Sequence, residues 1–346
     1  MSTADASPPA GSPGPSAPPA ALAALARSRA YALLGDLFAR GLREETLVAW
    51  RQVEGGILGD DPAPADVVVD LDAAAEAHTR CFVLELPPYE GAFLAADGLL
   101  GGMIAESVRA ARALAGLADP VDMEPDHLAA ELAWLGFLCG AEADALRDGV
   151  EARPITELQQ AALSGHLLRW VPVFVAALDS LVGAEPAENA DRIYQRGAHL
   201  TLDVLLGHAG AVGLGGAWGL PPATEVLDDP NAGLRAIAEH LVLPCQAGGY
   251  LPRGVIVRVA RRLELPTTFG TRADLLEGLL CAAAQYSMVP DVCRELRGVF
   301  AGWGRSLQLA PTFAAAPWVE RGRQTQALLE RLAAASVAGA AVEHSL

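Results

Sequence analysis

Lysine is absent from this chain, and all 25 of its basic residues are arginine. Chemistry built on an ε-amine, such as a Schiff base or a phosphate-binding P-loop, is excluded with it. Positive charge is short altogether: the formal charge is −17, which argues against a nucleic-acid partner, since phosphate contacts need clustered cations. Aromatic residues make up only 5% of the chain, and β-branched alternation is scarce, so sheets are disfavoured. The five cysteines, Cys81, Cys139, Cys245, Cys281 and Cys293, are odd in number, widely spaced and free of any C-x-x-C pattern. Neither a zinc site nor a disulfide framework is supported, and all five read as reduced core residues of a cytoplasmic protein. Every apolar run is interrupted by Arg, Asp, Glu, Gly or Pro before it reaches bilayer length, so no integral membrane association is expected. Residues 1–20, rich in Ala, Pro, Ser and Gly, lack the cationic start and apolar run of a secretory signal and read as a disordered tail.

What is present is a 52% hydrophobic content, much of it Ala and Leu, which points to packed helices and an all-α protein. Helical spacing of Tyr31, Leu34, Leu37 and Phe38 marks an amphipathic first helix. Further helices are expected at 44–53, 71–85, 101–117, 156–182 and 188–208, with a Gly/Asp/Pro-rich break at 55–66. Pro87 and Pro88 force extended backbone, so residues 87–93 read as a loop that either displays Tyr89 and Phe93 or folds them onto the core. In the 156–182 helix, His166, Trp170 and Phe174 share one face, and Pro172 should kink it. The glycine-rich stretch 207–219 follows no strand and lacks G-x-G-x-x-G spacing, so it reads as a helix end and linker. Helices at 232–242, 252–263, 271–287, 290–308 and 319–334 then form a second unit. Thr271 and Asp274 suggest a capping box. Arg253, Arg258, Arg261 and Arg262 form a local cationic cluster whose default reading is a solvated face.

The stretch around which the chain is organised is Met123-Glu124-Pro125-Asp126-His127-Leu128, continuing to Leu135. Pro125 suits the first helical position and Asp126 the first turn, so a helix is expected to begin there. His127, Glu131 and Trp134 would share one strip of it, and Ala129, Ala133, Gly136 and Gly140 a small-residue face open to a neighbouring backbone. An Asp-His-x-x-x-Glu cluster on a buried helix must be satisfied or used. Asp126 could accept a guanidinium bidentately, or could cap its own helix while His127 bonds a neighbouring loop. General acid–base chemistry by Asp126, His127 and Glu131 on a small molecule is the enzymatic alternative, although no nucleophile, metal set or phosphate loop accompanies them.

At these residues the chain resembles the TorD/DmsD/NarJ family of redox-enzyme maturation chaperones. The resemblance rests on Glu124-Pro125-Asp126-His127-Leu128-x-x-Glu131-Leu132, supported by Tyr31-x-x-Leu34-Gly35-x-Leu37-Phe38, Pro87-Pro88-Tyr89-Glu90 and His166-Leu167-x-x-Trp170-x-Pro172-x-Phe174. It implies a helical chaperone domain over 21–213, a linker at 214–231, a helical extension at 232–336 outside the family's usual core, and a frayed tail at 337–346. It further implies a non-enzymatic cytoplasmic protein that holds the catalytic subunit of a molybdopterin oxidoreductase, in many members through its twin-arginine leader, until the cofactor is loaded. Asp126 and His127 match the family's functional pair. An apolar leader helix would lie in a groove with Tyr89, Trp134, Trp170 and Phe174 as anchors, flanked by Pro87, Pro88, Glu124, Pro125, Glu131 and His166. No cofactor of its own is expected. A nucleotide-regulated scaffold and a homo-oligomer stay open.

Overall fold

The computed structural model describes residues 18–52, 69–183, 189–216, 218–229, 231–308 and 312–343, and among them it is all-α. The only extended pairing among these residues is an isolated antiparallel bridge between Tyr89 and His127. The expected break at 55–66 lies outside the described residues, as do most of the expected tail and the last three residues.

The first unit comprises α1 (Pro19–Arg40), α2 (Glu44–Arg51), α3 (Leu71–His78), α4 (Glu90–Leu94), α5 (Gly102–Leu114), α6 (Leu128–Arg147), α7 (Arg153–Ala162), α8 (Leu168–Val182) and α9 (Asn189–Ala211). Its main seam is α1 against α6. The expected small-residue face makes this approach possible: Gly136 stands where a Cβ would lie 3.4 Å from the Ser28 carbonyl, and Gly35 where one would lie 3.4 Å from the Ala129 carbonyl. Ser28 Oγ donates to the Gly136 carbonyl at 2.7 Å and stitches the two helices together. Tyr31, Phe38, Phe82, Phe93, Trp134, Trp170, Phe174 and Tyr194 fill the core, with Phe82 meeting Phe38, Phe174 and Tyr194 at centroid distances of 5.4–6.0 Å.

Two helices expected to be continuous contain wide turns. After α3 the chain continues as a π-helical segment, Thr79–Glu85, and ends with the Leu86 N–H donating to the Cys81 carbonyl at 2.7 Å. Pro87 has no N–H with which to continue the ladder. A second π-helical segment, Leu163–Leu167, lies between α7 and α8, and Pro172 sits within α8. The irregularity therefore falls just ahead of the place where a kink was expected. Residues 153–182 together are long and apolar enough to cross a membrane by length and composition, which corrects the expectation that no such run exists. Of the apolar window, 78% is buried inside the fold, as in a core helix. The cysteine expectation also needs one correction, because Cys281 is exposed while the other four are buried.

The second unit contains α10 (Leu234–Val242), α11 (Pro244–Ala247), α12 (Arg253–Arg262), α13 (Arg272–Gln285), α14 (Val289–Leu307) and α15 (Thr312–Glu343). The capping box at Thr271 and Asp274 is formed in both directions. This unit packs onto the first: Trp318 Nε1–H donates to the Arg169 carbonyl at 2.6 Å, the Gly254 N–H to Glu85 Oε2 at 2.9 Å, and Tyr250 lies 5.3 Å from Phe93. Its closest backbone approach is at Gly248, whose φ of +78° is left-handed and where a Cβ would meet the Gly322 nitrogen at 2.3 Å. Gly248→Ala combines backbone strain with overpacking and is expected to cost about 2–4 kcal/mol of unfolding free energy in urea titration.

Candidate functional site

Two short loops build the site by bonding to each other. The Glu90 N–H donates to the Asp126 carbonyl and the Leu128 N–H to the Pro88 carbonyl, each at 2.8 Å. Pro87 and Pro88 supply no donors and hold the first loop extended, which suits it to pair with the second. This pairing moves the helix start. Residues 124–127 form a turn, and α6 begins at Leu128 with His127 as its N-cap rather than at Pro125.

The capping roles are exchanged relative to those expected. His127 Nδ1 accepts from the Ala129 N–H at 3.1 Å and so caps its own helix. The Asp126 carboxylate instead caps the neighbouring α4, accepting from the Gly91 N–H at 3.1 Å. Because Nδ1 accepts, the neutral His127 ring carries its proton on Nε2. Burial, reinforced by His78, pushes the His127 pKa down to about 4, so the ring is neutral at pH 7. Tyr89 lies edge-on to it with centroids 4.8 Å apart.

Beneath this crossing lies a carboxyl cluster from three elements, with Glu90, Asp126 and Glu131 all 0–1% exposed. Glu90 Oε2 meets His166 Nδ1 at 2.9 Å, and Trp170 Nε1–H donates to Glu131 Oε2 at 3.3 Å. Burial, with the neighbouring Glu90 charge, raises the Glu131 pKa well above the carboxylate range. Glu131 Oε1 and Asp126 Oδ1 have no hydrogen-bond partner among the described residues. Asp126 is likewise raised by burial, against the pull of the Gly91 N–H. From the far side Arg112 donates to the Ala130 carbonyl at 2.7 Å and the Ala118 carbonyl at 3.3 Å, tying α5 to the start of α6.

A glycine-rich strap, residues 95–102, passes over the cluster. The carbonyls of Leu99 and Gly101 lie 3.5 and 3.7 Å from where a Cβ on Gly91 would stand, and Asp126 Oδ2 lies 2.9 Å from the same point. Gly98, Gly101 and Gly102 take left-handed φ values of 69°, 78° and 62°, which suit glycine. The strap turns Leu99 and Leu100 outward, at 64% and 52% exposure, and Met103 in the first turn of α5 continues the surface at 89%.

The expected residues are thus brought together, but not as an open groove. Trp134, Trp170 and Phe174 are at most 1% exposed and are core, as is Phe93; none is presented to a partner in this conformation, because their shared face meets α4 and the first unit's other aromatics. Tyr89 is half-buried, Glu124 is exposed, and Pro88, Pro125 and His166 are buried. Asp126, His127 and Glu131 do not form an acid–base pair: each polar contact described for them serves a cap or the core. Among the described residues no group of three or more His, Cys, Asp and Glu is arranged to hold a metal ion. Glu90 and Arg112 were missed as site residues. A carboxylate directly after Pro-Pro-Tyr was the available signal for Glu90; Arg112 gave none.

Two consequences can be measured. Asp126→Ala leaves the Gly91 N–H unsatisfied and is expected to lose about 1–3 kcal/mol, whereas Asp126→Asn keeps an acceptor oxygen and should stay close to wild type. For Glu131, the folded chain retains its proton to a higher pH than the unfolded chain, whose carboxyl titrates near 4.5. Stability from this group therefore falls as pH rises above that value, by up to about 1.4 kcal/mol per pH unit. His127 acts oppositely, since protonation below 6.5 costs the fold until its own pKa of about 4 is reached. Glu131→Gln should accordingly gain on wild type progressively from pH 5 to pH 7 in urea denaturation.

Comparison with known proteins bears on these same helices. Residues 49–176, which hold α3 through the first part of α8 and the whole carboxyl cluster, match the nitrate reductase delta subunit family. Two curated relatives align over 56 residues: the chlorate reductase assembly chaperone protein of Ideonella dechloratans, 43% identical, and the selenate reductase assembly chaperone protein of Thauera selenatis, 41% identical. Each alignment covers 16% of this chain and 29% of the relative. No solved structure matches. Through the segment 49–176, the chain is similar to the nitrate reductase delta subunit family, and it spans less than a third of the length of the two reductase assembly chaperones it matches.

Proposed function

We propose that this protein is a cytoplasmic assembly chaperone for the catalytic subunit of a molybdopterin oxidoreductase, holding it for cofactor insertion before export or assembly. The observation that carries the reading is the family match over the helices that build the buried carboxyl cluster. Both curated relatives are named as reductase assembly chaperones, which supports a binding role over an enzymatic one. The use of Asp126 Oδ2 and His127 Nδ1 as caps supports the same choice, because each residue has a structural task at a helix start.

The proposed recognition face is the strap with the cluster beneath it. Leu99, Leu100 and Met103 offer an apolar surface, while Asp97, Glu106 and Glu124 are exposed acids on the strap, on α5 and on the loop before α6. An apolar leader carrying paired arginines complements that arrangement, its charges attracted over a Debye length of about 8–10 Å. The three strap glycines are where the cover can move to admit an arginine toward Asp126, whose Oδ1 has no donor.

A strain lacking this chain is expected to make its oxidoreductase client without molybdenum cofactor, read by metal analysis of the purified client; a fully loaded, active client overturns the reading. In a binding assay, a client leader with its arginine pair should lose about tenfold in affinity on Met103→Asp. Equal binding would remove the strap, and not the chaperone role, from the proposal.

A further inference from the structure

At the opposite end of α8 lies a polar cleft that the chaperone reading does not use. It opens where the last turn of α8 meets α12 and α14, and it encloses about 830 Å³, within the roughly 300–1,000 Å³ of small-ligand sites. Four arginines line it, Arg258, Arg262, Arg294 and Arg305, against the carboxylates of Asp179 and Glu295. Both acids are engaged already: Asp179 Oδ1 accepts from Gln195 and His199, each at 2.8 Å, and Glu295 pairs with Arg262 at 2.7 Å. Arg258 donates to the Ser180 carbonyl at 2.9 Å, which fixes its guanidinium at the end of α8. Arg294 pairs with Asp291 within its own helix. Arg305 has no carboxylate partner among the described residues.

The floor is as unusual as the rim. Gly298 and Gly302 stand one turn apart on α14; a Cβ on Gly298 would enter open space, and one on Gly302 would have only Arg305 Nη2, at 3.9 Å, near it. The glycines leave the helix backbone bare beneath the arginines. Ser180 Oγ accepts from Trp303 Nε1–H at 2.5 Å, so its own hydrogen is left to donate, and the Ser306 hydroxyl lines the same wall. In a chain with a net charge of −17, a concave surface with more guanidinium than carboxylate is a local reversal of sign.

We propose that this cleft binds a phosphate-bearing small anion, a di- or triphosphate. Arg305 offers a guanidinium fork with no carboxylate partner among the described residues, and Arg262 on α12 and Arg294 on α14, whose ion pairs lie in solvent, can exchange a carboxylate for phosphate, which arginine binds bidentately. A single carboxylate would occupy one fork and leave the others unmatched. The arginines on α12 were expected to be a solvated face; Arg253, Arg261 and Arg262 are exposed, with Arg262 reaching Glu295 on α14, and Arg258 is the one that turns in to the end of α8.

Titration calorimetry on the full chain with pyrophosphate and, separately, with ATP tests this. Saturable binding of either is expected, weakened about tenfold by Arg305→Gln, as for one lost charge-assisted contact. Tighter binding of ATP would mean that the nucleoside also contributes, and equal binding that the phosphate chain suffices; both support the site. Gly298→Leu, which fills the floor without removing charge, should abolish binding while leaving the circular dichroism spectrum unchanged. The proposal is overturned if neither probe binds the wild type saturably, if Arg305→Gln and Gly298→Leu both bind as wild type does, or if a glutamate-rich peptide binds and both phosphates fail. The client-maturation experiment is independent of all these outcomes.

Discussion

Two backbone hydrogen bonds between the 86–90 and 124–128 loops hold the centre of this protein in its arrangement. They place Asp126 against α4, set the start of α6 at Leu128, and bring Glu90 over Glu131. Once three carboxyl groups are enclosed there, the surroundings must answer for them. His166, the Trp170 indole and a retained proton do so, and the aromatic packing of α8 follows from keeping those partners in place. A buried acid cluster of this kind does not add stability by itself, because desolvation offsets most of what pairing returns. It gives the crossing a single well-defined geometry.

Much of the architecture could be read in advance because it depends on local rules. Leucine and alanine at helical spacing located most helices within a few residues, and the capping box at Thr271 was visible in the sequence. The small-residue face of α6 anticipated a close neighbour, which is α1. The errors arise where one part of the chain answers to another. Pro125 has the credentials of a first helical residue, but the Pro88 carbonyl claims the Leu128 N–H and the helix waits. Asp126 has the credentials of a cap for its own helix, yet the Gly91 N–H is nearer. Tyr89, Trp134, Trp170 and Phe174 were grouped as anchors, but spacing along a helix cannot say whether a shared face lines a groove or fills a core. Here three of the four fill a core.

The second unit is fastened to the elements that carry the cluster. Tyr250 extends the aromatic series of Phe93 and Trp170, Arg272 lies 3.9 Å over the Tyr250 ring, and Trp318 bonds the Arg169 carbonyl one residue before Trp170. The extension therefore supports the walls of the site, a role that composition alone did not suggest.

The missing lysine gives the molecule two electrical behaviours on one rod. At a rise of about 1.5 Å per residue, Trp170 and Ser180 on α8 are roughly 15 Å apart along its axis. Near Trp170 the charge is titratable, since the proton that burial keeps on Glu131 can leave as its surroundings change. Near Ser180 it is carried by guanidinium groups, which stay charged at any pH the fold survives. Acidification or alkalinisation would therefore change the buried carboxyl end directly, while at the other end the guanidiniums hold their charge and the Asp179–His199 pair is the part that answers to pH; ten residues of helix separate the two.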